Sequence, residues 1–432
     1  MSDPADLGVR GAVTALAAGE LSALELVLSF LERITSEHGR TLNAFIHVAG
    51  DFACEQARES DRRRAEGNSR SGLDGVPIAI KDNIDVAGLP TTNGLATRWI
   101  PSADAPVARR FRDAGMVILG KLNMHEGALG ATTDNRHHGR CAHPAFPGFT
   151  PGGSSGGSAT AVAGGLCAVA LGTDTMGSVR LPAAYCGVVG FKPSQTYWPA
   201  TGVMPLAFGL DTIGPLARSV DDIAVLLGER LENLALQGLR FARLENVRHV
   251  DAEPECEAAF EAALALLIAN GIGVQTERVP GYEPGPARRA GFIVSEADAA
   301  AAHKRLLAET PEAFSPEFLA MLRYGEKVSS QRYRAERGTI ERAGSAFLEL
   351  FDRVDIVLSL TAPQRSFSFG NPAPVNQADF TAIANFAGCP AISLPLPVPP
   401  NERPIGLQLI AAPQRDAMLL PAAAQLELML KS

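Results

Sequence analysis

The chain has 432 residues, 46% hydrophobic and 20% charged, with a formal net charge of −8 and a pI near 5.6. This balance is that of a soluble globular enzyme with a large buried core. Arg62-Arg63-Arg64 is the one basic run, which argues against direct nucleic-acid binding, and no window reaches the roughly 18 uninterrupted apolar residues of a membrane span.

The start, MSDPADLGVRGAV, is acidic and lacks the apolar core of a secretory leader. Six cysteines (Cys54, Cys141, Cys167, Cys186, Cys256, Cys389) share no repeated spacing and several lie in apolar runs, so free thiols in a reducing cytoplasm are expected. A prior of about 150 residues per domain would give two or three units. No Pro/Gly/Ser-rich linker or charge block divides the chain, and a single large domain over 1–432 is the better reading.

Apolar residues recur at three and four over 7–37 (Leu24, Val27, Leu28, Leu31, Ile34), predicting two amphipathic helices. A short strand follows at 43–48, then a helix over 51–66 with Asp51 as N-cap. Strands at 76–80 and 117–119 flank a helix near 105–114, and Pro77, which cannot donate to a ladder, belongs at the start of its strand. The long polar segment 119–151 carries His125, His137, His138, Cys141 and His143. Their spacing fits no structural zinc pattern, and the segment reads as a lid or pocket wall with Met124, His125 and Phe149 as candidates to touch substrate.

Beyond residue 193, 212–218 reads as a turn entering the helix 220–229, capped by Ser219 with Asp222. Segment 233–290 reads as strand, helix (253–270), strand (274–279) and loop, and 291–350 as helical. A buried strand at 355–360, a hairpin-like pair at 391–396 and 406–411, and a last helix at 418–430 with Pro421 in its first turn complete the chain. The alternation of strands and helices predicts an α/β class fold: one α/β/α domain with a mixed central sheet covered by helices on both faces.

Chemistry concentrates in PGGSSGGSATAVAGGLCAVALGTDTMGSVRLPAAYCGVVGFKP, 151–193, where Ser154 and Ser178 sit in two glycine-rich turns separated by an apolar run able to form a helix and a strand. Glycines let backbone N–H groups approach a reacting atom closely. A phosphate loop would need Lys-Ser/Thr after the last glycine, whereas Gly157 is followed by Ser158-Ala159. Gly152-Gly153-Ser154-Ser155-Gly156 formally fits a nucleophile elbow, but a turn-rich loop and not a buried strand precedes it. The third reading pairs both serines with a lysine. Lys81 ends the apolar run 76–80, and a buried stem there favours the neutral amine; the plainer alternative is a surface pair with Asp82 or Asp85.

These residues resemble the amidase signature family of serine hydrolases. GGSSGGSA, GTDTMGSVRLPAAYCGVVGFKP and IAIKDNIDVAGLPTTNG carry the likeness, and LSALELVLSFLERITSEHGRTLNAFIHV, GKLNMHEGALGATTDN, FTAIANFAGCPAISLPLP and IGLQLIAAP extend it over nearly the whole chain. The resemblance implies N-terminal helices over about 7–66, a catalytic core over about 76–225, a variable helical segment over about 291–350 and C-terminal strands and helix over about 355–432. It implies a Ser-Ser-Lys triad of Lys81, Ser154 (after a cis peptide bond) and Ser178, with the serines 24 residues apart. Ser178 would be the nucleophile, Ser154 and Lys81 the proton relay, and the backbone N–H groups of Thr175, Met176, Gly177 and Ser178 the oxyanion hole. Ser155 becomes a supporting donor, and Asp174 and Arg180 fix the loop, with substrate contact by Arg180 as the alternative.

Two positions depart from the pattern: Met176 stands where the family has glycine, and His143-Pro144 where it has Asn-Pro. A thioether at 176 would narrow the acyl pocket. The resemblance implies no metal and no cofactor, and a homodimer as a common assembly. The expected function is hydrolysis of a carboxamide or carbamoyl C–N bond of a small molecule, with no direct nucleic-acid partner and no membrane partner. The alternatives are the glutaminase subunit of a tRNA-dependent amidotransferase, against which the acidic pI and short middle segment weigh, and a non-catalytic scaffold relative.

Overall fold

The computed structural model describes residues 3–232 and 234–431. Met1, Ser2 and Ser432 lie outside them, as does Asn233, the first residue of the segment read as strand, helix and strand. The described strands are, in chain order, β1 (Phe45–Val48), β2 (Pro77–Lys81), β3 (Val117–Leu122), β4 (Asp134–Asn135), β5 (Gly139–Arg140), β6 (Val169–Asp174), β7 (Val189–Lys192), β8 (Thr212–Ala217), β9 (Phe241–Leu244), β10 (Val274–Glu277), β11 (Ile356–Leu360), β12 (Ala391–Pro395) and β13 (Gly406–Ala411). Eleven form one mixed sheet in the order β1-β3-β2-β6-β8-β7-β12-β13-β11-β9-β10, while β4 and β5 pair separately. One apolar cluster runs from Leu16 and Phe30 in the N-terminal helices through Ile80 and Leu171 in the sheet to Leu420 and Leu426 in the last helix. The fold is therefore a single α/β/α domain.

Every residue of β2 and β6 is buried, the continuous pattern of strands covered on both faces. The two run parallel, with Ile78 opposite Val169 and Ile80 opposite Leu171, so their C-terminal ends emerge together. Crevices at such ends are where α/β sheets hold ligands. Pro77 opens β2, as its missing N–H requires. The helix Ala23–Thr35 begins with a capping box in which Ser22 accepts from the Glu25 N–H and Glu25 accepts from the Ser22 N–H. Ser219 caps the helix Val220–Leu227 through the Asp222 N–H.

Three local readings are corrected. Residues 212–217 are not a turn but the buried strand β8, antiparallel to β6 over its whole length; burial between β6 and β7 overrides the Gly214-Pro215 turn signal. The helix expected from Asp51 is Gly50–Ala65 with Ala49 as an uncapped N-cap, and Asp51 instead places its charge in the first turn, at the positive end of the dipole. The last helix starts earlier, at Asp416, which puts Pro421 inside it. Strand β7 has no counterpart among the expected elements. The segment 291–350 is helical as expected, within Pro284–Ala302, Lys304–Glu309, Pro316–Glu326 and Ser330–Leu348.

Candidate active site

Lys81 is the last residue of β2 and is fully buried. Its Nζ donates to Ser154 Oγ at 2.7 Å, Thr173 Oγ1 at 2.8 Å and Ser155 Oγ at 2.9 Å. Burial pulls the amine down from 10.5 to about 7, against the opposing pull of Asp174 and Asp211. A neutral amine has two donors and one lone pair, so one of the three hydroxyls must donate to it. Ser155 Oγ already donates to the Thr173 carbonyl, and Thr173 Oγ1 also receives Asn83 Nδ2. With the Ser155 proton committed to that carbonyl, Ser154 and Thr173 remain as hydroxyls able to donate to the amine, and Ser154 makes the shorter contact.

The Gly153–Ser154 peptide bond is cis. The Ser154 carbonyl accepts from the His125 N–H at 3.0 Å, and the Ser178 carbonyl accepts from the Ser155 N–H at 3.2 Å. That second bond ties the two serine turns together. Lys81, Ser154 and Ser155 are buried, whereas Ser178 is only half-buried and is the most accessible of the four. The glycine before it is required: Gly177 has φ 129°, and a Cβ there would lie 2.3 Å from Thr381 Oγ1.

The Ser178 turn is held by a buried ion pair. Arg180 donates to Asp174 in bidentate fashion, Nε to Oδ2 at 3.0 Å and Nη2 to Oδ1 at 2.8 Å, and further to the Thr381 carbonyl, Gln408 Oε1 and Asn385 Oδ1. Burial alone would raise the Asp174 carboxyl; Arg180, with Lys192, outweighs it and holds it well below the usual range. Asp174 also accepts from the N–H groups of Gly177, at 2.7 Å, and Val179, at 3.1 Å. The Gly177 N–H is thus engaged by a carboxylate, and an oxyanion would rest on Thr175, Met176 and Ser178. Arg180, fully enclosed by these partners, holds the loop. Sequence reasoning missed Asn385, Thr381 and Gln408, although two of them lie in the FTAIANFAGCP stretch that carries part of the family likeness.

Burial also pulls His125 down, to about 4, so it is neutral at physiological pH. Its Nδ1 pairs with Thr132 Oγ1, and a groove of about 220 Å³ opens beside it, lined by Glu126, Asp134, Arg136, Phe318 and Met321 among others. Met124 is packed with Leu95, Leu129 and Phe318 in a buried cluster. Phe149 lies under the Arg403 guanidinium and against Phe146. The other histidines of this segment are pinned: His137 to Glu126, His138 to the Leu95 carbonyl and His143 to the Tyr185 carbonyl. Among the described residues no cluster of His, Cys, Asp or Glu is placed to hold a metal ion, and no helix is long and apolar enough to cross a membrane.

On the other side of the Ser178 turn, Met176 packs with Ala378 and Ala382 against Phe292 and Phe386. Next to Ala378, Asp379 takes Arg288 Nε at 2.5 Å. Arg288 is 8% exposed, and the described residues offer its terminal nitrogens no hydrogen bond. A cation and an anion thus stand together near the Ser178 loop.

A large mixed sheet, a buried lysine at the end of one of its parallel strands hydrogen-bonded to serine and threonine hydroxyls, and a second serine turn tied to the first are the arrangement of a hydrolase. The family model for amidases matches residues 25–235 and 229–420, and the chain belongs to that family. Curated relatives include the A-type subunits of glutamyl-tRNA(Gln) amidotransferase from two bacteria. That of Anaeromyxobacter dehalogenans is 35% identical over 99% of this chain and 98% of the relative, and that of Thermobifida fusca is 32% identical over 96% and 94%. Among solved structures, an amidase superposes with a TM-score of 0.91 at 30% identity, covering 98% of this chain and all of that one. The A-type amidotransferase subunit of Thermotoga maritima gives 0.80 at 27% identity over 99% and 95%.

The relatives overturn the expectation of no nucleic-acid partner. Their names make them subunits of an enzyme named for glutamyl-tRNA(Gln). Net charge is the wrong guide here: it speaks to direct phosphate contact by this surface, and one subunit can meet nucleic acid through its partners.

Proposed function

We propose that the chain hydrolyses a primary carboxamide through Lys81, Ser154 and Ser178, and that glutamine is its ammonia donor. Ser178 Oγ attacks the carbonyl carbon while its proton passes to Ser154 and that of Ser154 to Lys81. The oxyanion is held by N–H groups of Thr175, Met176 and Ser178, each of about 3–4 kcal/mol in analogous sites. The relay then returns a proton to the amide nitrogen, the C–N bond breaks, ammonia leaves and Ser178 carries the acyl group as an ester. Water, deprotonated by the same relay, attacks the ester and releases the acid.

The observation that carries the chemistry is the buried 2.7 Å contact of a lysine drawn down to about 7 with a serine. The glutamine reading draws on the curated relatives and on the Arg288–Asp379 pair, whose charges match the carboxylate and ammonium of an amino acid. By that reading the chain works beside partner subunits, as the names of the relatives describe for them.

A second reading, a stand-alone amidase, is favoured by the higher structural likeness to an amidase than to the A-type amidotransferase subunit, 0.91 against 0.80. Alignments to the relatives also run to 486 positions against 432 residues here, so the relatives carry segments that this chain lacks. Ammonia release from glutamine, acetamide, benzamide and a peptide amide separates the two. The glutaminase reading expects glutamine to have the highest kcat/KM; a neutral amide turned over more than about tenfold better, a difference of about 1.4 kcal/mol, would replace it with the second.

A further inference from the structure

Met176 stands two residues before Ser178, and its backbone is clamped: the Met176 carbonyl accepts from Thr381 Oγ1 at 2.6 Å. The side chain is 7% exposed and lies among Phe292, Phe386, Ala378 and Ala382, between the helix Pro284–Ala302 and the segment that carries Asp379. The helix makes room for it with a glycine in mid-helix, where glycine costs about 1 kcal/mol relative to alanine. A Cβ built on Gly291 would stand 2.5 Å from Met176 Sδ and 2.9 Å from Phe386 Cζ. Arg288, one turn earlier and therefore on the same helix face as Gly291 and Phe292, carries the guanidinium described above.

Resting on the acyl-enzyme reading, we infer that Met176 and Gly291 form a matched pair that sets the depth of the acyl side of the site. The thioether fills the space over Gly291 and ends the pocket. The substrate class is accordingly amides with a short, unbranched acyl chain. Longer acyl chains meet the methionine before their carbonyl reaches Ser178.

Alkyl methylphosphonofluoridates test this without knowledge of the substrate: Ser178 Oγ forms a bond to phosphorus, fluoride leaves, and the serine proton passes to the relay. The readout is the rate of Ser178 labelling by an ethyl and an octyl probe, followed by intact mass. Wild type should favour the ethyl probe, and Met176→Ala should shift the octyl-to-ethyl ratio upward by about tenfold or more, the size of effect expected when a hydrophobic pocket gains several methylene-sized spaces. Gly291→Ala should slow both probes by displacing the thioether toward Ser178. Adding Met176→Ala to Gly291→Ala should restore labelling, a rescue that loss of fold would not give.

An unchanged octyl-to-ethyl ratio in Met176→Ala, or a double variant as slow as Gly291→Ala while its melting temperature matches wild type, would overturn the inference. Wild type that the ethyl probe does not label would overturn the serine-nucleophile reading, and this inference with it.

Discussion

Replacing Lys81 by methionine keeps the buried stem and removes only the amine. An ordinary lysine of pKa 10.5 is neutral to about one part in a thousand at pH 7.4, whereas one at about 7 is mostly neutral, so burial raises the usable base roughly a thousandfold. Lys81→Met therefore loses base catalysis of about 10²–10⁴ in kcat/KM. It also leaves three hydroxyls, on Ser154, Ser155 and Thr173, without their amine partner, at about 1 kcal/mol each. The base must be neutral to act, so wild-type kcat/KM should rise with pH up to about 7 and level above it; as pH falls below that value activity drops about tenfold per unit. Steady-state kinetics from about pH 5.5 to 9 on both proteins is the assay, a span that brackets the lysine's titration. A variant within tenfold of wild type, or a wild-type profile flat through pH 7, would refute the relay.

Asp174→Asn leaves Arg180 as an uncompensated buried cation and should cost about 3–5 kcal/mol in denaturant unfolding; a loss under about 1 kcal/mol would contradict the network around the Ser178 turn. Ser154→Ala breaks the relay and keeps the nucleophile, so a trace of turnover should survive while circular dichroism is unchanged. Arg288→Met should raise KM for glutamine roughly tenfold to a hundredfold, the worth of a charge-assisted hydrogen bond, and leave neutral amides nearly untouched. Equal losses on both substrate types would assign Arg288 a structural role alone.

Most of the fold could be read from the sequence where local signals and burial agree. The apolar run of β2 with its opening proline and the Ser219 cap of the helix Val220–Leu227 each point to what forms. Legibility failed where tertiary pairing overrides a local signal, as when Gly214-Pro215 is drawn into a strand between β6 and β7. The candidate triad followed from motif likeness, and the geometry of Lys81 and Ser154 could not have come from spacing alone. What stayed hidden was whatever needs two distant segments at once: Arg180 with Asn385 and Gln408, Arg288 with Asp379, Met176 over Gly291. No pattern along the chain announces such pairs. Charge misled in its own way, since a net value carries no information about partner subunits.

The most direct test of the central claim is ammonia release from glutamine and the amide panel by wild type and Ser178→Ala side by side, with the acyl adduct sought by mass spectrometry on the peptide carrying Ser178. The Ser-Ser-Lys relay predicts Ser178-dependent ammonia and an acyl ester on that peptide in the wild type alone. Turnover by Ser178→Ala at the wild-type rate, or an adduct on Ser154 or Ser155 instead, would contradict it.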